Sequence, residues 1–342
     1  MRNSRNANSA SDSRPTAPPV LLVSPPQRRI RFNLSGVFPM QPLGIAALAA
    51  YLRQRNVSVK VLDAVALRLD AARTVDAVLA AKPALAAFST TIFNIADTGE
   101  IARAVKERAP GLPVVLGGHG MVFPAEALAE RLAHVDFFIR GEGEEALFRL
   151  VEALRNGKDL EDVPGLVHRR DGRILDNPKG PALDPDRLPL PALDLLPPVR
   201  YAMHPPFNQK PPLCLVETAR GCGFSCNFCS IRRTLRVRST ERVLEEIRWA
   251  KKVFSAREIH FVDPTFTARR DRALELCEAI GRSFPGLAWT CKTRVDCLDP
   301  ELARAMARSG CYMVSLGVES GSQRMLDAMS KSVTVEQIHA AA

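Results

Sequence analysis

The chain has 342 residues, 46% apolar and 25% charged, enough for sizeable cores and suited to two domains. No apolar run approaches a membrane span, and the N-terminus lacks the apolar core of a secretory signal, so a reducing cytoplasm is the expected compartment. The net charge of +10 is dispersed over short clusters (Arg28-Arg29-Ile30-Arg31, Arg232-Arg233, Lys251-Lys252), and the 6% aromatic residues do not interleave with them, so no nucleic-acid partner is expected. Solvated surface charge accounts for the balance, and an anionic substrate would still profit from it.

Residues 1 to about 18 are rich in Asn, Ser, Ala, Arg and Pro without apolar pattern, and read as a disordered tail. Val20-Leu21-Leu22-Val23 reads as a buried strand ended by Ser24-Pro25-Pro26. Pro42-Leu43-Gly44 opens a helix through Arg53, and Val57 to Leu62 is a second strand ending at Asp63. A helix over Thr74 to Ala81 leads to strand Ala84 to Phe88, which ends in Ser89-Thr90-Thr91. Helix Ile95 to Arg108 precedes strand Pro113 to Leu116 and its ending Gly117-Gly118-His119-Gly120. Helix Ala125 to Leu132 precedes strand Val135 to Ile139, which ends in Arg140-Gly141-Glu142-Gly143-Glu144. Five strands alternating with helices over residues 19–154 predict an α/β, doubly wound (Rossmann- or flavodoxin-like) parallel sheet, with ligands at the carboxyl ends of its strands.

Gly141-Glu142-Gly143-Glu144-Glu145-Ala146 matches the dinucleotide pattern G-x-G-x-x-A. It follows the fifth strand rather than the first, and three glutamates would repel a pyrophosphate. A nicotinamide or flavin at this spot is therefore not expected.

Residues 155–212 read as a Pro-, Asp- and Arg-rich connector carrying one hairpin, Val167 to Ile174, with an Asp-Gly turn. From Leu213 to residue 342, strand-then-helix units resume: Leu213 to Thr218, Glu258 to Asp263, Ala288 to Arg294 and Tyr312 to Glu319 are the four strands. Such βα repeats close into barrels with chemistry at the carboxyl ends, where Asp263, Lys292, Arg294, Asp296, Glu319 and Ser320 collect.

The densest chemistry is Arg220-Gly221-Cys222-Gly223-Phe224-Ser225-Cys226-Asn227-Phe228-Cys229-Ser230, with thiols at C-x3-C-x2-C. Thiolates at this density bind soft metal. A structural zinc wants four closed ligands in two pairs, and no second pair is evident. Three thiols in one loop better suit a [4Fe-4S] cluster that leaves one iron open to a small molecule. Cys214, Cys277, Cys291, Cys297 and Cys311 are scattered; Cys277 and Cys311 read as core thiols, and Cys291 borders the rim.

This triplet after a first strand resembles the signature of radical S-adenosylmethionine enzymes. The resemblance implies that Cys222, Cys226 and Cys229 hold the cluster and that the open iron chelates S-adenosylmethionine, whose reductive cleavage gives a 5′-deoxyadenosyl radical. It implies that Phe228, Arg294, Glu319 and Ser320 surround S-adenosylmethionine; a salt bridge across the barrel mouth is an equal reading of Arg294. The family often has two aspartates after its second strand, whereas Pro264 follows Asp263 here.

The first domain resembles the cobalamin-binding domain found ahead of many such barrels, through Pro42-Leu43-Gly44, the Gly117-Gly118-His119 turn and Arg140 to Glu144. That implies cobalamin on Pro42, Gly44, Ser89, Thr90, Gly117, Gly118, Glu142 and Gly143, although the glycines would equally serve as turn formers in an empty sheet. The loop after the first strand, Ser24 to Arg29, has no histidine, so any cobalamin should lack a histidine lower ligand; His119 reads as a loop residue.

Together these imply a cobalamin-dependent radical S-adenosylmethionine enzyme, most naturally a methyltransferase acting on an unactivated carbon of a small molecule, reduced by a flavodoxin- or ferredoxin-type donor. Oxidative cyclisation or rearrangement on the same scaffold is the alternative. The family's partial barrel has six strands and this chain supplies about four, so the barrel is expected to be incomplete. A non-catalytic cobalamin- or cluster-binding protein is accordingly a further alternative. A methylthiotransferase with a second cluster on its first domain does not fit, because no cysteine precedes Cys214.

Overall fold

The computed structural model describes residues 17–26, 39–199, 201, 208–231 and 234–342. The tail through residue 16, the loop residues Gln27, Arg28 and Arg29, the cluster Arg28 to Arg31 and the pair Arg232-Arg233 lie outside the described residues.

Nine elements build the first sheet and its helices up to the fifth strand: β1 (Val20–Ser24), α1 (Leu43–Gln54), β2 (Val59–Asp63), α2 (Ala71–Ala80), β3 (Leu85–Ser89), α3 (Ile95–Arg108), β4 (Val114–Gly117), α4 (Ala125–Arg131) and β5 (Phe137–Ile139). Then come α5 (Gly143–Asn156), β6 (Leu166–Arg170) and β7 (Arg173–Asp176). The strand order is β2-β1-β3-β4-β5-β6-β7, parallel through β5 and antiparallel across β6 and β7. Strands that are apolar without alternation, such as Val20-Leu21-Leu22-Val23, need cover on both faces. One face packs on α1 and α5 through Ile45, Leu52, Leu147 and Leu150, and the other on α2, α3 and α4 through Val78, Ile101, Val105 and Leu128.

The hairpin expected within the connector forms around Asp171-Gly172, but it does not stand apart. Phe137, Phe138 and Ile139 pair with His168, Val167 and Leu166, so the hairpin extends the sheet. Helix α2 begins at Ala71, earlier than expected, because the Asp70 side chain caps it by accepting from Arg73 N at 2.8 Å.

The second half contains β8 (Leu213–Val216), the short antiparallel pair β9 (Ala219–Arg220) and β10 (Arg236–Val237), α6 (Thr240–Phe254), β11 (Glu258–Phe261), α7 (Arg270–Ser283), β12 (Ala288–Arg294), α8 (Pro300–Arg308), β13 (Cys311–Gly317), α9 (Gln323–Ala328) and α10 (Val335–Ala341). Its parallel sheet runs β8-β11-β12-β13. Cys214, Ile259, Phe261, Trp289 and Cys291 face α6, α7 and α8. Phe261, Phe266 and Trp289 interlock with ring centroids 5.0–5.3 Å apart, each contact worth about 1 kcal/mol beyond area burial. Helix α9, between β13 and α10, was not anticipated in the sequence.

The two halves share packing. Ala46 and Ala66 of the first join the core of the second, along with Leu193, Leu196 and Tyr201 of the connector. The buried Gln41 side chain behaves like a strand partner for edge strand β8, donating to Leu213 O at 3.3 Å and accepting from Leu215 N at 2.8 Å. It satisfies backbone groups that an edge strand would otherwise expose, and it joins the start of α1 to the first strand of the second half. Among the described residues no helix is long and apolar enough to cross a membrane.

Candidate functional site

The cysteine loop leaves the carboxyl end of β8 and is gripped from four directions. From the end of β11, the buried Asp263 carboxylate accepts from Thr218 N at 3.0 Å, Thr218 Oγ1 at 3.2 Å and Ala219 N. Burial, reinforced by the nearby Glu217 carboxylate, pushes Asp263 up to about 7. Thr265, two residues on, lies 3.8 Å from Cys222 Sγ. Asp263, whose role the sequence left in doubt, thus fixes the backbone from which the thiol loop springs.

From the end of β12, Arg294 donates to Cys226 Sγ at 3.5 Å and lies over the Phe224 ring at 3.9 Å. Its other nitrogens make a bidentate pair with Asp296 at 2.8 Å and reach Lys331 O at 2.6 Å. Burial disfavours its charge, but Asp296 outweighs burial and the guanidinium is held more strongly protonated than usual. The salt-bridge reading of Arg294 is visible in its pair with Asp296, and the same guanidinium is also a cation beside the Cys226 sulfur.

From the turn after α9, Ala328 O and Met329 O accept from Asn227 Nδ2 and N at 2.7 and 3.1 Å. The fourth grip comes from the other half. Arg220, immediately before the loop, donates to Glu144 at 2.7 Å and Glu217 at 2.8 Å and lies 3.8 Å from Glu142. Arg236 also pairs with Glu142. Burial opposes the Arg220 charge, and Glu144 and Glu217 overcome it, so its affinity for the proton is raised. Two of the three glutamates that spoil the dinucleotide pattern, Glu142 and Glu144, are thus the first domain's handles on the second, whereas Glu145 pairs with Tyr51 and Arg149 inside the first.

The loop's donor chemistry is three thiols, Cys222 and Cys226 partly covered and Cys229 exposed. Among the described residues no three His, Cys, Asp or Glu side chains converge as a closed set around one ion. Three thiols in one loop, with a cation at one of them, fit an iron–sulfur cluster, whose thiolates bind different irons. Phe228, expected near an adenine, stands 53% exposed on the loop. Glu319, at φ +64°, accepts from Lys331 Nζ at 3.2 Å, and Ser320 Oγ accepts from Ser322 N at 3.1 Å within the same turn.

At the first sheet, Ser89, Thr90, Gly117 and Gly118 meet between the ends of β3 and β4. Thr90 is buried and bonds Gly117 O through N at 2.7 Å and Oγ1 at 2.9 Å, while Gly120 N returns to Thr90 O at 2.8 Å. A Cβ on Gly118 would lie 2.8 Å from Thr90 O at a φ of +90°, so only glycine permits this approach. Ile92, Phe93, Val122 and Phe123 project from the same two loops into solvent, Phe93 being 80% exposed. An apolar rim around a cradle of backbone and small residues fits a large, flat ligand. His119 is an exposed loop residue.

The other four residues expected at cobalamin lie at the starts of α1 and α5. Pro42 precedes the first turn of α1, and Gly44 has open space where a Cβ would be. Glu142 is engaged by Arg220, Arg236 and Leu183 N, and Gly143 lies against Leu48, where a Cβ would come within 3.1 Å. A cavity of about 340 Å³ opens beside Glu142, lined by Arg140, Glu145, Arg149 and Lys179, away from the thiols.

Comparison with known proteins finds two matching domain families. A B12 binding domain profile matches residues 33–151 and a radical SAM superfamily profile matches residues 216–342. An uncharacterised methyltransferase of Pyrococcus horikoshii is 32% identical over 93% of this chain and 69% of its own. The chain belongs to the cobalamin-binding radical S-adenosylmethionine family. The anaerobic magnesium-protoporphyrin IX monomethyl ester cyclase of Rubrivivax gelatinosus is 30% identical over 93% of this chain and 58% of its own. The solved cobalamin-dependent S-adenosylmethionine radical enzyme OxsB, with aqua-cobalamin and S-adenosylmethionine bound, superposes with a TM-score of 0.77 at 22% identity, covering 94% of this chain and 46% of that one. The chain thus spans from about half to about two-thirds of the length of these proteins. As a radical S-adenosylmethionine protein with a cobalamin-binding domain, it carries the cofactor set of a [4Fe-4S] cluster, S-adenosylmethionine and cobalamin.

Gln41, Arg220, Phe224, Thr265 and Lys331 were not singled out as site residues in the sequence. Two had a signal: Phe224 is an aromatic inside C-x3-C, and Arg220 abuts the loop. The others act through contacts between distant segments that no local spacing reveals.

Proposed function

We propose that this protein takes part in cobalamin-dependent methyl transfer to an unactivated carbon of a small molecule. One observation carries the reading: the 2.7 Å contact between Arg220 and Glu144 joins the segment that leads into the thiol loop to the first turn of α5, which follows β5 at the carboxyl edge of the first sheet. Two candidate cofactor sites at the carboxyl ends of neighbouring parallel sheets suit a reaction that draws on both. When bound, the cluster supplies an electron to S-adenosylmethionine and cobalamin carries the methyl group.

The residues present would have distinct tasks. Cys222, Cys226 and Cys229 would hold the cluster, with Arg294 donating to the Cys226 sulfur and lowering its electron density. Phe228, Glu319 and Ser320 would line the S-adenosylmethionine side, and Ser89, Thr90, Gly117 and Gly118 the cobalamin side. Glu142 and Gly143 would hold the frame rather than the cofactor. A flavodoxin- or ferredoxin-type protein would be the reductant.

The test is anaerobic reconstitution, then incubation with S-adenosylmethionine and a low-potential reductant, with chromatographic detection of 5′-deoxyadenosine. Formation by the wild type and loss in the Cys222, Cys226 and Cys229→Ala variant is expected. A fully loaded protein that forms none would leave a binding protein without turnover. With substrate in hand, a gain of one methylene in mass supports methyl transfer, whereas a loss of hydrogen without added carbon would indicate cyclisation, the activity named for the Rubrivivax relative.

A further inference from the structure

Residues from three distant segments converge on the short turn after α9. The Lys331 carbonyl accepts from Arg294 Nη2 at 2.6 Å, and its ammonium donates to Glu319 Oε1 at 3.2 Å. Two and three residues earlier in that run, Met329 O and Ala328 O accept from Asn227 of the cysteine loop. The turn is held rigidly: Lys331 N donates to Leu326 O at 3.0 Å, and Leu326 and Val333 are buried against Val295 in a small apolar core.

Lys331 is only 5% exposed, which is rare for lysine without a compensating charge. Glu319 is the carboxylate paired with it, and it stands at the end of β13 in a left-handed backbone conformation unusual for a non-glycine residue. Gly317 makes room for the pair, since a Cβ there would lie 3.2 Å from Lys331 Nζ and 3.3 Å from Glu319 Oε1. A side chain, a backbone bend and a glycine are thus all committed to aiming one half-exposed carboxylate.

We propose that Lys331 is a positioning residue for S-adenosylmethionine: its ammonium aims Glu319, and its carbonyl holds Arg294 beside Cys226. The proposal rests on the reading that S-adenosylmethionine docks at this mouth. A carboxylate with one oxygen fixed on an ammonium presents the other oxygen in one orientation to the amino or hydroxyl donors of the ligand. The ordering cost is met before the ligand arrives, and affinity gains accordingly.

The experiment compares wild type, Lys331→Met, Lys331→Arg, Glu319→Gln and the Lys331→Met/Glu319→Gln double variant after anaerobic reconstitution. Iron content, melting temperature and S-adenosylmethionine affinity by equilibrium dialysis are measured. Expected are wild-type iron in every variant, affinity weakened about tenfold or more in Lys331→Met and Glu319→Gln, and substantial recovery in Lys331→Arg. The double variant should be no weaker than the worse single one, because both remove the same aimed carboxylate. Unchanged affinity in Lys331→Met or Glu319→Gln, or additive losses in the double variant, would overturn the proposal. Should Lys331→Met fail to fold, Glu319→Gln and Lys331→Arg decide it. An iron-loaded wild type that binds no S-adenosylmethionine would overturn the docking reading as well, whereas binding by wild type and Lys331→Met alike overturns this inference alone.

Discussion

The barrel mouth and the edge of the first sheet solve the same problem, presenting a ligand surface at the carboxyl ends of parallel strands, with different materials. The mouth is built from side chains that hold one another: Arg294 touches Cys226, Phe224, Asp296 and Lys331, and Lys331 touches Glu319. The edge is built from backbone, with Thr90 and Gly117 closing on each other and Gly118 and Gly120 allowing the approach. A side-chain site tolerates small changes in its neighbours' backbone but depends on charge balance. A backbone site has little charge to lose and no room to give.

The seam between them should give the largest effect. Arg220→Met would leave Glu144, whose side chain is 6% exposed, without its cation. Removing one partner of a buried pair costs about 3 kcal/mol or more, so the melting temperature should fall markedly. Glu144→Gln should cost less, because Arg220 keeps Glu217. Equal melting temperatures for Arg220→Met and wild type would mean that the two halves do not rely on this contact.

One substitution made at both sites sharpens the contrast. Gly118→Ala places a Cβ against backbone atoms of Thr90 at a φ of +90°, and strain of this kind costs about 1–3 kcal/mol. Gly317→Ala places one against the flexible ends of Lys331 and Glu319, which can withdraw, so its stability cost should stay below about 1 kcal/mol. Denaturant unfolding of the two variants measures the difference, and a cost at Gly317 equal to that at Gly118 would contradict it.

A smaller effect comes from the barrel interior. His260 is buried, with Nδ1 2.7 Å from Thr290 Oγ1, and burial together with the Lys292 charge lowers its pKa to about 4. The unfolded chain takes up this proton as pH falls through about 6.5, and the folded chain does not until about pH 4. Stability contributed by the neutral ring is therefore complete above 6.5 and is lost progressively down to about 4, by roughly 2 kcal/mol at pH 5. Wild type should lose more melting temperature than His260→Gln between pH 7.5 and 5, and parallel profiles would refute the assignment.

The same contrast explains what the sequence disclosed. The strand-helix alternation and the burial of strands such as Val20 to Val23 were legible because unbroken apolar runs have one stable solution. The thiol loop was legible because three cysteines in eight residues have few other uses. The cradle was legible as Ser89-Thr90 after β3 and the glycines at the end of β4, but that Thr90 closes on Gly117 is a pairing across 27 residues. Gln41 and Lys331 were invisible because their significance lies in partners about 170 residues and 12 residues away, at no helical or strand spacing. Glu142 and Gly143 were assigned to the cofactor through the resemblance to a cobalamin-binding domain, and their contacts with Arg220, Arg236 and Leu48 had no signal in the sequence.

The most direct test of two separable cofactor sites is iron, sulfide and cobalt analysis after anaerobic reconstitution. It would be run on wild type, on the Cys222, Cys226 and Cys229→Ala variant and on Gly118→Val. About four irons and one cobalt per chain are expected in wild type, with iron alone lost in the cysteine variant and cobalt alone lost in Gly118→Val. Iron that persists without those three thiols, or zinc in its place, would contradict the account.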